Sequence, residues 1–257
     1  MRLPLLISVP HGGLDVPPEL RPFLRIGTDL IEAGSDVGSF EVYSSLGEDR
    51  VLAYRAQRWA RVLVDVNRGA DNRKPDGVIK TFVQGHMVYD PYPHPAVIET
   101  VIERYHAPYH RELERLARLP GVKLGVDCHT MFASAPPDGP DPQGSSRPMI
   151  CLSDGGGTSL PSGWMDGLAR HFRQQFGPTQ VKVNEPFNGG HIVRRHSARL
   201  PFVQIEISRS EALGWQEKGE RVHAALAGFC QEQFGTAPIS RRCRLFEWVR
   251  RLWRCCA

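Results

Sequence analysis

Short apolar runs rich in β-branched side chains recur along the chain between stretches of helical period. Leu5 to Val9, Arg61 to Val66, Val122 to Val126, Met149 to Leu152, Val181 to Val183 and Val203 to Ile207 are the expected strands, most of them interior. Ile98, Ile102, Tyr105, Tyr109, Leu113 and Leu116 repeat at three- and four-residue steps, which predicts a helix from about Ala96 to Leu119, kinked at Pro108. Further helices are expected over Ser162 to Phe176 and Gly214 to Phe234, the latter with Val222, Leu226 and Phe229 on one stripe, and a shorter helical stretch over Val37 to Leu46. Strands alternating with helices in this way imply an α/β fold: a mixed, largely parallel central sheet flanked by helices. Gly69 to Pro95 and Phe132 to Pro148 carry no clear period, and loops of that length often form lids or binding loops.

Length and composition narrow the class without naming it. A chain of 257 residues with 41% hydrophobic and 23% charged residues fits a globular protein, and no internal repeat or linker divides it, so one domain is expected over 1–257. The net charge of +4 is mild, and Arg241 to Arg254 supplies much of the excess with six arginines against Glu247. Nothing in that balance points to nucleic acid. The basic tail at about 240–257 places Leu245, Trp248, Val249 and Leu252 on one side of a helix that either docks on its own domain or touches an acidic membrane surface. No apolar run reaches the roughly 20 residues of a membrane span, and the N-terminus reads as a first strand rather than a signal peptide. Cysteines at 128, 151, 230, 243, 255 and 256 form no paired spacing, as expected of reduced thiols in a cytoplasm. Oligomeric state is not legible.

In open α/β sheets reactive groups gather beyond the carboxyl ends of strands. Pro10-His11-Gly12-Gly13, Asp65-Val66-Asn67-Arg68, Asp127-Cys128-His129-Thr130 and Glu206 all fall at such ends of the expected strands. His11 and His129 are the natural pair of imidazole ligands for a zinc-type ion, one per chain, and a carboxylate would complete three protein ligands. Asp36, at the start of the Val37 to Leu46 helix, is the preferred third, with Asp15 and Glu32 as competitors. Asp127, two residues before His129 on one strand, is expected to accept the second N–H of an imidazole, although alternation also lets it ligate directly. Glu206, between Ile205 and Ile207, is either a general base or half of a buried ion pair with Arg209 or another arginine. Asn67 and Arg68 offer an amide and a fork for a substrate carboxylate, and Arg61 could polarise the scissile carbonyl.

Weaker signals follow. His106 and His110 have the spacing of a helical metal pair, but Pro108 lies between them, so they read as substrate contact or packing. Asn188-Gly189-Gly190-His191 with Arg194, Arg195 and His196 is either an anion-binding loop or a plain turn. Gly155-Gly156-Gly157 lacks the lysine of a phosphate loop and reads as a turn.

Together, Ser8-Val9-Pro10-His11-Gly12-Gly13, Asp65-Val66-Asn67-Arg68, Asp127-Cys128-His129-Thr130 and Glu206-Ile207 resemble the bacterial N-formylglutamate amidohydrolases, in order and over nearly the whole chain. The resemblance also takes in the Asp36 to Tyr43 stretch, the Pro-Tyr-His of the long helix and the glycines after Phe187. That family looks like a distant relative of the zinc carboxypeptidases and aspartoacylases. What this implies is a hydrolase of zinc-exopeptidase-like fold that cleaves N-formyl-L-glutamate, or another N-acyl amino acid, with Asn67 and Arg68 on the carboxylate, Glu206 on the water and His11 and His129 on zinc. The relatives' third ligand, a glutamate three residues after the first histidine, is Leu14 here, so Asp36 rests on the nearer family's acidic position. The alternatives are an amidase on peptide or cell-wall fragments, a non-catalytic binder of an acidic small molecule, and a two-metal phosphate-ester hydrolase drawing on Asp15, Asp36, Asp65 and Asp127.

Overall fold

The computed structural model describes residues 2–137 and 139–235. The expected basic helix at 240–257, with Cys243, Cys255 and Cys256, lies outside the described residues. In chain order the elements are β1 (Leu3–Val9), α1 (Thr28–Ala33), α2 (Ser39–Tyr43), β2 (Val51–Ala56), the small hairpin β3 (Phe82–Val83) and β4 (His86–Met87), and α3 (Pro95–Val101). After these come α4 (Ala107–Leu116), β5 (Leu124–Met131), β6 (Ile150–Ser153), α5 (Trp164–Phe176), β7 (Val181–Val183), α6 (His191–His196), β8 (Phe202–Ser208) and α7 (Trp215–Phe234). Six strands form one sheet in the order β2-β1-β5-β8-β6-β7. Its pairings are parallel except for β6 against β8. The mixed, largely parallel sheet is thus the one expected.

Every residue of β1, β5 and β8 is buried, which is what continuous apolar strands covered on both faces require. One face packs Leu5, Ile7, Val126, Cys128, Val203 and Ile205 against α2, α5 and α7, through Tyr43, Leu168, Phe172, Val222, Leu226 and Phe229. The other carries Leu6, Ala53 and Phe202 beneath α3, α4 and α6, through Ile98, Tyr109, Leu113, Ile192 and Val193. Gly125 on β5 lies against Phe202, whose ring would stand 2.3 Å from any Cβ there. Among the described residues Cys128, Cys151 and Cys230 are free and buried, and no helix is long and apolar enough to cross a membrane.

Two elements depart from expectation. Arg61 to Val66 is not a strand: Leu63 and Val64 both donate N–H to Ala60 C=O, so the run is a compact turn whose Val62, Leu63, Val64 and Val66 fill the second core. The strand is instead Val51–Ala56, whose alanines and Arg55 dilute the apolar signal. The long helix exists, but α3 and α4 are joined by a π-helical segment, Ile102–His106, and Pro108 falls in the first turn of α4. The expected Val37 to Leu46 helix is α2 followed by a 3-10 turn, Ser44–Leu46. Gly69 to Pro95, read as a patternless loop, contributes Val78, Ile79, Val83, Val88 and Tyr89 to the core.

Candidate metal centre

Register brings the site together. On adjacent parallel strands His129 stands opposite Glu206, and Ser8 opposite Asp127. Tyr43 from α2 locks that pair of strands, donating its hydroxyl to His129 C=O at 2.9 Å and to Ile205 C=O at 3.4 Å. His11 follows β1 on a segment that runs against residues 56–60, with Asp15 N–H donating to Arg58 C=O. Gly13 makes this possible, since a Cβ there would meet the Arg58 backbone at 2.1 Å. Asp36 is delivered by the turn before α2, its N–H donating to His11 C=O at 3.1 Å.

His11, Asp36 and His129 are buried and offer ligand atoms within 4.8 Å of one another. The two imidazoles lie 4.7 Å apart, centroid to centroid. His11 donates Nε2–H to Asp65 Oδ1 at 2.9 Å, and His129 donates Nε2–H to Asp127 Oδ2 at 3.0 Å. Those bonds leave Nδ1 of each ring turned toward Asp36 Oδ2, at 3.5 Å from His11 and 2.9 Å from His129. Nδ1 of His11 is buried with no hydrogen-bond partner. An orphaned imidazole nitrogen, a second imidazole and a carboxylate, with both rings oriented from behind by aspartates, make a donor set suited to a divalent ion of the zinc type. The competitors for third ligand sit elsewhere: Asp15 pairs with exposed Arg58, and Glu32 is exposed.

The surrounding charges are interlocked. Asp65 accepts Asn67 N–H and pairs through Oδ2 with Arg61 at 3.3 Å and Lys80 at 3.1 Å. Arg61 reaches Asp36 Oδ1 at 2.9 Å with its other terminal nitrogen, so its fork bridges the carboxylates of Asp36 and Asp65. Burial alone would raise the Asp36 carboxyl, but His11, Arg61 and His129 hold it well below the usual carboxylate range, and Asp65 is held down by His11, Lys80 and Arg61 in the same way. His129 is pushed the other way: burial disfavours its charge, yet Asp127 and Glu206 keep its pKa well above that of free imidazole. Asp127 is completed by Ser8, which donates to its Oδ1 at 3.0 Å and contacts the Tyr109 hydroxyl at 2.9 Å.

Glu206 is only 7% exposed, and among the described residues neither arginine nor lysine pairs with it. Its Oε1 accepts from Gln204 Nε2 at 3.0 Å. Burial, with Asp36 and Asp127 adding to it against His129 and Arg61, raises its pKa to about 8. The buried ion pair with Arg209 is therefore not what the structure contains.

The residues expected to meet substrate are less convergent. Asn67 lies between His129 and α6: Nδ2 is 3.3 Å from His129 Nε2, and Oδ1 accepts Ile192 N–H at 2.9 Å. Gly190 permits that approach, because a Cβ would stand 2.2 Å from Asn67 Nδ2. Arg68 is turned to Asp76, which takes its Nη2 at 2.7 Å on Oδ2 and its Nε on the carbonyl. Arg194 is exposed and donates to Gly189 C=O. His191 joins a cluster around His110, 5.4 Å from it by centroids, with His106 at 4.6 Å and His196 stacked at 5.3 Å.

Sequence reasoning gave no role to Lys80, Ser8 or Gln204, and offered Asp65 only as a ligand in the two-metal alternative. Asp65 had a signal, since Asp65-x-Asn67 repeats the spacing of Asp127-x-His129. Lys80 had none, lying in a stretch without period.

An N-formylglutamate deformylase of Pseudomonas putida is 27% identical to the chain over 231 residues, 81% of each sequence. The crystal structure of an N-formylglutamate amidohydrolase from Ralstonia eutropha JMP134 superposes with a TM-score of 0.71 at 22% identity, covering 97% of this chain and 95% of that one. A gene product of Agrobacterium tumefaciens gives the same TM-score at 18% identity over 91% and 92% of the two chains. Both share the fold. Residues 3–212 match the N-formylglutamate amidohydrolase family model, and the chain belongs to that family.

Proposed function

We propose that the protein, acting as one catalytic unit, uses a single bound zinc ion to hydrolyse the amide of an N-formyl or other N-acyl amino acid, with N-formyl-L-glutamate giving formate and L-glutamate as the leading substrate. The observation that carries the metal is the pair of Nδ1 atoms aimed at one oxygen of Asp36, one of them buried without a partner. His11, Asp36 and His129 would hold the ion, with Asp65 and Asp127 fixing the rings. When bound, such an ion supplies a Lewis acid and makes water deprotonable near neutral pH. Glu206 is then the general base: it takes a proton from the attacking water and returns it to the amine nitrogen as the C–N bond breaks. Its burial opposite His129, with only the Gln204 amide donating to it, suits a carboxylate that exchanges a proton with the reacting water.

Arg61, bridging Asp36 and Asp65, holds those carboxylates in place and adds positive charge where oxyanion character develops. Asn67 is the substrate contact nearest the ligands, with His191 and Arg194 lining the approach from α6. Arg68 reaches a substrate carboxylate only by leaving Asp76. A two-metal reading has little support, because Asp15, Asp65 and Asp127 are each committed to a protein partner. The test is elemental analysis of the purified protein coupled to a screen of N-acyl amino acids. One zinc per chain with release of formate from N-formyl-L-glutamate is the expected result; a metal-free protein active on none of them would refute the proposal.

A further inference from the structure

Of the arginines close to the metal set, Arg61 is bound to two aspartates and Arg68 to Asp76. Arg209, just beyond β8, is different. Its Nε donates to Thr130 Oγ1 at 3.1 Å and its Nη2 to Ser35 C=O at 2.6 Å. These anchors flank the site in sequence, Thr130 following His129 and Ser35 preceding Asp36. Among the described residues the nearest carboxylate is Asp36, whose Oδ1 lies 3.9 Å from Nη2, beyond hydrogen-bonding distance and already taken by Arg61. Nη1 has no protein partner there, although the side chain is only 15% exposed. A guanidinium anchored by two neutral oxygens, with one terminal nitrogen open toward solvent and its nearest carboxylate shared with Arg61, is placed to take an anion.

The surface beside it adds a second observation. The guanidinium lies over the ring of Phe132 at 4.5 Å, and that ring is 41% exposed. Phe132 follows Met131, the last residue of the strand that carries His129. Stacking fixes the plane of the guanidinium without satisfying its N–H groups, leaving an oriented fork within reach of the metal set. We infer that Arg209, backed by Phe132, is the specificity-determining residue that receives a carboxylate of the substrate, a role the sequence motifs assign to Asn67 and Arg68. This rests on the amidohydrolase reading and adds to it the residue that selects acidic N-acyl amino acids.

The experiment compares wild type, Arg209→Gln, Arg209→Lys and Arg68→Gln as zinc-loaded proteins on N-formyl-L-glutamate and its two mono-amides, at the side chain and at the α-carboxyl. Arg209→Gln is expected to raise KM for the diacid by about 10- to 100-fold, the weight of a charge-assisted pair, with zinc content unchanged and Arg209→Lys partly restored. One of the two amides, carrying its neutral group where Arg209 reads a carboxylate, should be indifferent to the substitution, and this identifies which carboxylate is bound. Equal losses on all three substrates, loss of zinc, or transfer of the whole selectivity change to Arg68→Gln would overturn the inference. If wild type cleaves no N-acyl amino acid, the amidohydrolase reading fails and calorimetric binding of L-glutamate decides Arg209 alone. Weaker binding by Arg209→Gln then supports it, whereas equal binding, or none by either protein, overturns it.

Discussion

His11 and His129 present the same ring atom, Nδ1, to one oxygen of Asp36, while Nε2 of each is held by a separate buried aspartate. Two aspartates therefore fix the tautomer and ring plane of the two imidazoles. Asp65→Asn and Asp127→Asn should each weaken zinc binding by about 10- to 100-fold, read by competition with a chromophoric chelator. Unchanged affinity in both variants would mean that the aspartates are packing groups only.

Among the described residues no arginine or lysine pairs with Glu206, which leaves its carboxylate to exchange a proton with the reacting water. Glu206→Gln keeps the shape and the acceptor oxygen for Gln204. Turnover should fall by about 10²- to 10⁴-fold while one zinc per chain is retained. A protein that binds an acidic ligand without chemistry would show no such split.

Gly190 permits the close approach of Asn67 to the start of α6. Gly190→Ala forces a methyl group onto the Asn67 amide, and the overpacking should cost about 1–3 kcal/mol in urea unfolding. Because Asn67 also lies beside His129, kcat/KM should fall in the same variant; stability and kinetics both at wild-type level would show that the amide has room to move.

The histidine cluster sets an acid limit on stability. Burial first, and neighbouring histidines and Arg195 after it, depress His110 to about 2 and His191 and His196 to about 4, and burial lowers His106 as well. Folded-state values below the unfolded 6.5 mean that the unfolded chain takes up protons first. The stability these groups contribute is present above about pH 6.5 and is lost as pH falls toward 4, at about 1.4 kcal/mol per pH unit for each proton taken up. Urea titrations between pH 7 and 5 should show a steep loss that His196→Gln makes shallower. A flat profile would contradict the depressed values.

Much of the sheet and the grouping of His11, Asp36 and His129 was legible because each rests on a short, local pattern. His129 and Asp127 share a face by the two-residue period of a strand, and Glu206 stands out as a carboxylate in an otherwise apolar run. Arg61 to Val66 misled because tertiary burial selects β-branched residues in a turn as readily as in a strand, while the true strand, Val51–Ala56, is half-exposed at the sheet edge and correspondingly less apolar. The substrate end was hardest to read. Whether Arg68 faces a ligand depends on Asp76, and the placement of Arg209 depends on Ser35, Thr130 and Phe132, contacts that no spacing encodes.

Metal dependence is the central claim, and chelation followed by reconstitution tests it most directly. Protein stripped with a chelator and dialysed should lose formate release from N-formyl-L-glutamate and recover it with one equivalent of zinc or cobalt per chain, and a His11→Ala variant should not recover. Full activity in protein shown by elemental analysis to be metal-free would contradict the account.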